Sequence, residues 1–232
     1  MTINKAMILA AGLGKRMLPL TQKIPKPLIM VGSKNLLERS IELLIKIGIN
    51  ELVINTYYLP QEIDNFLKAK NYGISINVIK EQQLLDTGGG ILNATKKFEN
   101  SPFFVLNPDT IWNKNYYAEL KILENSYLEN NKPILLLVDK KISYDKSFKG
   151  DFNFKKNKCI IREATNQYIF TGAQIVNRSI FENIKEKVFS MNLAWDKMIK
   201  KKLLLGQESN QTFFHVNNFK VYKELNKIKF ID

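Results

Sequence analysis

Two glycines and two cations near the start of the chain have the types and spacing needed to hold phosphate. Gly12 and Gly14 follow a short apolar run, and Arg16 and Lys26 come soon after them. Glycine lets backbone N–H groups approach a phosphate or a base closely, and fixed Arg and Lys side chains stabilise a transferring phosphoryl group. Lys26 stands between two prolines, which hold it extended and exclude a helix or central strand there. The combination favours phosphoryl or nucleotidyl transfer, although two glycines alone would suit a structural turn equally well.

The same segment does not fit the two common glycine-loop patterns for nucleotides. A dinucleotide-binding loop needs a third glycine, and Met17 stands at that position. A Walker loop needs Gly-Lys followed by Ser or Thr, whereas Gly14 and Lys15 are followed by Arg16. If this loop binds a nucleotide, it does so by another pattern.

Other residues that could carry chemistry are few. Asp109 follows an apolar run and could bind a hard cation, but an aspartate in such a place more often caps a turn or a helix. His215 is the single histidine, so any site that needs two histidines is excluded. Cys159 is the single cysteine, so it can form no internal disulfide, which is typical of a reducing compartment.

The stretch from Leu9 to Leu28 resembles the signature of the sugar-1-phosphate nucleotidyltransferases, L-A-A-G-x-G-x-R-[ML]-x-P-L-T-x-x-x-P-K-P-[LM], at every specified position. The run Leu85 to Gly90 resembles the second glycine loop of that family, and Asp109 stands where the family has its metal aspartate. The resemblance extends over nearly the whole chain. It implies the α/β fold of the nucleotide-diphospho-sugar transferases and a reaction of an NTP with a sugar 1-phosphate that releases pyrophosphate.

The resemblance also implies a role for each matching residue. Arg16 would hold the β- and γ-phosphates that leave, and Lys26 would bridge the α-phosphate and the incoming phosphate. Asp109 would bind Mg²⁺, with Mn²⁺ as the alternative ion. The nucleotide would be bound by Ala10, Ala11, Gly12, Gly14, Lys15, Glu81 and Gly88. The sugar would be bound by Gly150, Glu163, Thr171 and Gly172.

One position in the presumed metal site departs from the family pattern. Where the family has a second aspartate followed by Val or Ile and then Gly-Thr, this chain has His215, and Asn217 and Asn218 replace the Gly-Thr. His215 is therefore predicted at the metal. Because neutral imidazole is a poor Mg²⁺ ligand, we expect Asp109, nucleotide phosphates and water to hold the ion.

Alternating strands and helices would position these residues. Apolar runs predict strands at 6–10, 51–55, 74–79, 103–106 and 134–138. Helical spacing predicts helices at 36–47, 61–70, 90–98 and 116–130, with a glycine-rich loop at 86–90. From about residue 143 the pattern predicts a hairpin of 150–154 with 159–163, a strand at 168–176, and helices at 179–187 and 195–203.

This order of elements predicts an α/β fold with a Rossmann-like, doubly wound mixed sheet. In such a sheet the ligand lies beyond the carboxyl ends of the strands, where the glycine loop and Asp109 fall. We expect a single domain over residues 1–232. Its nucleotide-binding half would cover about 1–140 and its smaller sugar-binding half about 141–232.

The net charge is +13, from 35 Lys and Arg against 22 Asp and Glu. An anionic partner would explain this charge, but scattered lysines in a lysine-rich composition explain it better. Nucleic acid is not expected, because clustered Lys and Arg with interleaved aromatics are missing. No stretch reaches the roughly 18 apolar residues of a membrane span. We therefore expect a cytoplasmic monomer or homodimer with no membrane partner.

Within the family, the Asp-Thr-Gly-Gly-Gly and Asp-Thr-Ile-Trp runs look most like N-acetylmuramate-1-phosphate uridylyltransferases. UTP and N-acetylmuramic acid 1-phosphate are thus the first substrates to expect, in cell-wall sugar recycling. The alternatives are a mannose-1-phosphate guanylyltransferase and a glucose-1-phosphate thymidylyl- or uridylyltransferase. A catalytically weak nucleotide-binding regulator is a further alternative, because Ala164 replaces a lysine that family members often use on the sugar phosphate. Arg162 or Lys26 would then have to bind that phosphate.

Overall fold

The structure, a computed structural model, describes residues 2–228 and contains a mixed sheet of seven strands. The strands of the fold are β1 (Lys5–Leu9), β2 (Met30–Val31), β3 (Lys34–Asn35), β4 (Glu51–Thr56), β5 (Ser75–Lys80), β6 (Phe103–Leu106), β7 (Ile134–Asp139), β8 (Asn153–Phe154), β9 (Ile160–Ile161), β10 (Tyr168–Val176) and β11 (Leu205–Ser209). The sheet has the order β11-β7-β10-β6-β1-β4-β5. Strand β10 is antiparallel to both neighbours, and the other neighbouring strands are parallel. Two small antiparallel pairs, β2–β3 and β8–β9, lie outside this sheet.

Helices cover both faces of the sheet. They are α1 (Leu36–Ile47), α2 (Pro60–Lys68), α3 (Asp86–Ala94), α4 (Tyr116–Asn130), α5 (Met191–Lys200) and α6 (Phe219–Leu225). Successive side chains of β1 point to opposite faces: Ala6 and Ile8 pack in the core with α1 and α4, and Met7 packs in the core with α3 and α5. This two-sided packing confirms the predicted fold class. None of the helices in residues 2–228 has the length and apolar character that crossing a bilayer demands.

Helix α1 shows why local signals place several elements correctly. The side chain of Asn35 caps its start by accepting a hydrogen bond from the Glu38 N–H. Gly48 follows its last turn with a φ of 105°, a left-handed conformation that glycine adopts without a steric penalty. Helices α1 and α4 and strands β6 and β10 span the residues that the sequence predicts.

The predicted loop at 86–90 is wrong, because helix α3 already begins there. Its glycines allow close packing of α3 against residues 187–191, which we call the 187–191 segment. A Cβ on Gly88 would lie 2.3 Å from Phe189 Cε2, and one on Gly89 would lie 2.5 Å from the Lys187 carbonyl oxygen. Helix propensity disfavours glycine, so a helix here depends on this long-range packing.

Two helices of the second half differ from their predicted ranges, 179–187 and 195–203. A short 3₁₀ turn, Arg178–Phe181, is the helical part of the first range. The second helix, α5, begins at Met191 because the Ser190 side chain caps it, and Trp195 therefore lies within the helix and not at its start. Strand β11 and helix α6 have no counterpart among the predicted elements.

Candidate active site

A cavity of about 570 Å³ opens at the carboxyl ends of β1, β4 and β6. Strands β4 and β5 lie on one side of β1 and β6 lies on the other, so the strand order reverses at this point. Doubly wound sheets bind their ligands at such a reversal. The cavity brings together most of the residues predicted for nucleotide and metal, namely Ala10, Ala11, Gly12, Gly14, Lys15, Arg16, Lys26 and Asp109.

The glycine loop combines a fixed turn with an open backbone. Gly14 has a φ of 64°, and a Cβ there would lie 2.8 Å from Thr21 Cγ2. The Thr21 hydroxyl donates a 2.9 Å hydrogen bond to the Gly14 carbonyl oxygen, which holds the turn. A Cβ on Gly12 would meet nothing within 4 Å, so the backbone at this position is open to a ligand. Such a loop suits the close approach of a phosphate or a base.

Buried hydrogen bonds support the glycine loop from within the fold. Asn55, on β4, accepts a 2.9 Å hydrogen bond from the Ala10 N–H and donates a 2.7 Å bond to Glu81 Oε1. Glu81 and Gly88, which are predicted to face the base, do not line the cavity. Glu81 is buried beside Asn55, and Gly88 is buried against Phe189. The structure thus gives these two residues positions behind the cavity wall.

Lys26, Asp109 and His215 form a compact polar cluster beside β6. Lys26 Nζ lies 2.6 Å from Asp109 Oδ2, and His215 Nε2 lies 3.2 Å from Asp109 Oδ1. An antiparallel bridge between Thr110 and His215 brings the distant C-terminal segment against this turn. Burial alone would raise the pKa of Asp109, but His215 and Lys26 hold that pKa well below its usual range. Asp109 is therefore ionised at neutral pH, with its charge already paired.

The cluster offers one carboxylate to a metal ion. Asp109 Oδ1 is buried and accepts no hydrogen bond, because His215 Nε2 lies at ion-pair distance without hydrogen-bond geometry. Within residues 2–228, no group of three or more His, Cys, Asp or Glu side chains is placed to hold a metal. This donor set fits Mg²⁺ held largely by phosphates and water, with Asp109 as a protein ligand. The nitrogen of His215 would suit Mn²⁺ better than Mg²⁺.

Arg16 and Lys15 add two exposed cations to the same cavity. Both lie on a short 3₁₀ turn, Lys15–Met17, that follows the glycine loop. Arg16 Nη1 lies 3.5 Å from Asn217 Oδ1, and Asn217 also lines the cavity. The end of the cavity near β6 is therefore rich in charge.

The opposite end of the cavity, beyond β4, is its more apolar part, although Asp86 and Thr87 also line it. Leu84 and Val188 line it and are 38% and 49% exposed. Val188 belongs to the 187–191 segment, which is tied to α3 because Thr87 Oγ1 accepts a 2.8 Å hydrogen bond from the Met191 N–H. Apolar walls with a few polar groups are typical of small-molecule sites. A ligand with phosphates at one end and a ring at the other matches this polarity.

The four residues predicted to bind the sugar, Gly150, Glu163, Thr171 and Gly172, lie outside the walls of this cavity. Thr171 is buried, and its carbonyl oxygen accepts a hydrogen bond from the Thr110 hydroxyl. The Gly172 carbonyl oxygen accepts a 2.8 Å bond from the Asn107 N–H. These contacts hold the turn that carries Asp109, so Thr171 and Gly172 support the site from behind.

Gly150 and Glu163 shape the region of the small β8–β9 pair. Gly150 has a φ of 82°, and a Cβ there would lie 2.4 Å from the Asn166 carbonyl oxygen. Glu163 accepts a hydrogen bond from the Asn153 side chain. Arg162, a candidate for the sugar phosphate, forms a 2.6 Å ion pair with an aspartate of α5. In this structure these groups contact neighbouring residues and do not line the cavity.

Twelve wall residues have no predicted role in the site, among them Asn55, Leu84, Thr87, Asn107, Val188 and Asn217. Asn55 and Asn107 stand at the carboxyl ends of two predicted strands, and polar residues at that edge of a parallel sheet are a usable signal. Val188 and Asn217 lie in irregular segments that tertiary contacts bring to the cavity. No local pattern in the sequence marks Val188, and Asn217 is marked only by the resemblance, in which it stands in the place of the family's Gly-Thr.

The doubly wound sheet, with a glycine loop, cations and a carboxylate where its strand order reverses, defines an α/β protein built to bind a phosphorylated ligand. Residues 5–141 match the family model described as nucleotidyl transferase. The chain belongs to this family, which confirms the resemblance to the sugar-1-phosphate nucleotidyltransferases.

Similar proteins agree with this assignment. The chain is 32% identical over 198 residues to the protein of Oryza sativa subsp. japonica named "Probable mannose-1-phosphate guanylyltransferase 1", covering 81% of this chain and 54% of that protein. It is 37% identical over 111 residues to the N-acetylmuramate alpha-1-phosphate uridylyltransferase of Caulobacter vibrioides, covering 46% of each. The chain thus spans about half the length of these curated relatives. A UDP-glucose pyrophosphorylase solved with UDP-glucose shares the fold, with a TM-score of 0.80, 17% identity and 97% coverage of both chains.

Proposed function

We propose that this protein transfers a nucleotidyl group from an NTP to a sugar 1-phosphate, giving an NDP-sugar and pyrophosphate. The observation that carries the proposal is the charged end of the cavity. There Lys26 and Asp109 lie 2.6 Å apart, and Arg16 projects from the glycine loop into the same space. This is the arrangement that positioning and charge neutralisation of a triphosphate require.

The proposed reaction needs little proton chemistry. An oxygen of the sugar phosphate attacks the α-phosphorus in line, and the bond from that phosphorus to the leaving pyrophosphate breaks. Because the attacking oxygen is already an anion, the protein supplies orientation and positive charge and no general base. Lys26 would contact the α-phosphate and the incoming phosphate, and Arg16 would hold the two phosphates that leave.

Asp109 would give the site its affinity for a divalent cation. Its low pKa keeps the carboxylate ionised at neutral pH. Mg²⁺, when bound through Asp109 and the phosphates, would neutralise charge on the triphosphate. Lys26 already pairs with one carboxylate oxygen, so a metal would need the second oxygen, Oδ1, which is buried beside His215.

UTP and N-acetylmuramic acid 1-phosphate are the proposed substrates. The relative from Caulobacter, whose name specifies this pair, and the Asp-Thr-Gly-Gly-Gly run of α3 favour them. GTP with mannose 1-phosphate is the next candidate, favoured by the name of the rice relative. Glucose 1-phosphate with UTP or TTP is the third. The apolar end around Leu84 and Val188 would take the base in each case.

A substrate panel tests the proposal directly. Each of UTP, GTP, TTP, CTP and ATP is incubated with N-acetylmuramic acid 1-phosphate, mannose 1-phosphate or glucose 1-phosphate and Mg²⁺, and pyrophosphate release is measured. We expect release with UTP and N-acetylmuramic acid 1-phosphate above all other pairs. Turnover of GTP with mannose 1-phosphate and none with UTP would contradict the proposed substrates but keep the reaction.

A nucleotide-binding protein of low turnover is the second candidate. It is favoured by the position of His215, whose Nε2 stands 3.2 Å from the carboxylate oxygen that a metal would need. Calorimetry that shows UTP or GTP binding, together with no pyrophosphate release from any pair in the panel, would select this candidate over the enzyme.

A further inference from the structure

Arg16 is joined to the second half of the chain by a polar bridge that has no assigned role. Arg16 Nη1 lies 3.5 Å from Asn217 Oδ1, across 201 positions of sequence, and both residues line the cavity. Asn217 Nδ2 in turn donates a 2.8 Å hydrogen bond to Asp145 Oδ2. We call these three residues the Asp145–Asn217–Arg16 bridge. It connects the glycine loop with the loop that follows β7.

The chemistry of the two outer residues fixes the orientation of the Asn217 amide. A carboxylate can only accept hydrogen bonds, so the NH₂ group of Asn217 must face Asp145. A guanidinium can only donate, so the amide oxygen must face Arg16. The Asn218 side chain donates to the same oxygen at 3.1 Å and adds to this orientation. The amide therefore has one arrangement that satisfies every partner.

The bridge distinguishes Arg16 from its neighbour Lys15. Both side chains are exposed on the same turn and line the same cavity. Within residues 2–228, Arg16 has Asn217 as a hydrogen-bond partner, whereas the Lys15 side chain makes no hydrogen bond or ion pair. A long cationic side chain loses rotamer freedom when it binds a ligand, and a side chain that is already held loses less.

We propose that Asn217 is a positioning residue, which holds the Arg16 guanidinium at the cavity wall so that it is ready to receive the terminal phosphates of an NTP. The inference rests on the proposed function, since it takes Arg16 to be a phosphate ligand. Asn217 acts through Arg16 and not by touching phosphate itself. Its Nδ2 is engaged by Asp145, and its Oδ1 is an acceptor that would repel a phosphate oxygen.

Calorimetric titration with UTP and with GTP, in the presence of Mg²⁺, tests this role in a double-mutant design. The proteins are wild type, Asn217→Ala, Arg16→Ala and the double variant. Ordering a side chain of this size corresponds to an affinity loss of about 3- to 10-fold, which we expect for Asn217→Ala. In the Arg16→Ala background the same change should weaken binding less than about 2-fold, because the group it positions is gone. Equal weakening in both backgrounds, or none in either, would overturn the proposal.

Two further variants distinguish loss of the bridge from a general loss of folding. The first is Asn226→Ala. The Asn226 side chain also joins distant segments, because it accepts a 3.3 Å hydrogen bond from the Gly32 N–H, but Asn226 does not line the cavity. Nucleotide affinity should be unchanged in it. Asp145→Asn can still accept the 2.9 Å bond from the Ser147 N–H but loses a carboxylate oxygen that anchors Asn217.

Asp145 itself does not line the cavity, so weaker binding in Asp145→Asn must pass through the bridge. We expect a several-fold loss that is absent when Asn217 is already alanine. Full affinity in Asp145→Asn would contradict the anchoring step. Failure of the wild type to bind any nucleotide would contradict the proposed function itself, which separates that failure from failure of the bridge.

Discussion

At one end of the cavity charged side chains are already paired with each other, whereas at the other end apolar side chains face solvent. Lys26 and His215 both lie within 3.2 Å of Asp109 oxygens, but Leu84 and Val188 are more than a third exposed. The half-buried ion pair of Lys26 and Asp109 is preorganised, so each of its charges has a large effect on a reaction that develops charge. Exposed apolar side chains contribute contact area, and each has a smaller effect. Substitutions at the two ends should therefore differ in size and in kind.

The largest effect is expected from Asp109→Asn. The substitution keeps the shape of the side chain and removes the charge that a hard cation needs. Because metal charge stabilisation amounts to several kcal/mol, turnover should fall about a thousandfold or more. Turnover is measured as pyrophosphate release over a series of Mg²⁺ concentrations. A variant that responds to Mg²⁺ like the wild type would show that Asp109 does not hold the metal.

The same variant tests the pairing of charges at this end through acid stability. The pKa of Asp109 is lowered in the folded protein. The stability that its carboxylate contributes is therefore fully present above the pKa of about 4 that it has in the unfolded chain. This stability is lost as the pH falls from there through the lower pKa that Asp109 has in the folded protein. The difference in Tm between wild type and Asp109→Asn should therefore be largest near neutral pH and shrink below about pH 4. A constant difference from pH 7 to pH 3 would contradict the pairing.

Arg16→Ala should have the second largest effect. One fixed charge contact in the transition state is typically worth ~3 kcal/mol, so turnover should fall about a hundredfold. Arg16 is exposed, and its loss should change the free energy of unfolding by less than about 0.5 kcal/mol. Timed assays of pyrophosphate release measure turnover, and urea unfolding measures the free energy of unfolding. An unchanged kcat would show that the glycine loop does not hold the leaving phosphates.

A smaller effect is expected from His215→Ala. His215 stands beside Asp109 Oδ1, but neutral imidazole is a poor Mg²⁺ ligand, so water can replace it. Turnover should fall clearly less than in Asp109→Asn. His215→Asp should retain activity and bind Mg²⁺ more tightly, which a titration with Mg²⁺ and a Mn²⁺ binding measurement by electron paramagnetic resonance would show. Equal inactivity of His215→Ala and Asp109→Asn would contradict a site with a single carboxylate.

The two ends also differ in how far the sequence predicts them. Lys26 and Asp109 follow local signals, a lysine between prolines and an aspartate after a buried strand, and both line the cavity. Gly88 has a strong local signal as well, but the structure uses it to pack α3 against Phe189. Val188 reaches the cavity only because the 187–191 segment docks on a helix about a hundred positions earlier. Local patterns do not encode contacts of that kind.

The fold shows the same division between local and long-range information. Helical spacing and the stop at Gly48 predict helix α1 over its observed range, and the structure adds a cap at Asn35. Residues 179–187 also have helical spacing, yet the Phe189 N–H donates to the Leu85 carbonyl oxygen and its own carbonyl accepts from the Gly89 N–H. These bonds tie the segment directly after that stretch to α3, and such tertiary contacts outweigh the weak helical pattern.

The smallest effect, and a change in selectivity more than in rate, is expected from Val188→Ala. Val188 is 49% exposed, so the substitution removes little buried area from the free protein and should leave Tm nearly unchanged. In the complex it would remove apolar contact with the base, worth about 1 kcal/mol or less, which is a rise in KM for the preferred NTP of about 2- to 5-fold. Because the charged end is untouched, kcat should stay within about 2-fold of wild type. A changed KM with an unchanged kcat would distinguish the apolar end of the cavity from the charged end.

Ile142→Ala is a matched control, since Ile142 is 38% exposed but lies outside the cavity walls. A KM for the sugar 1-phosphate that rises while the KM for the NTP does not would assign the apolar end to the sugar and reverse the proposed orientation of the ligand.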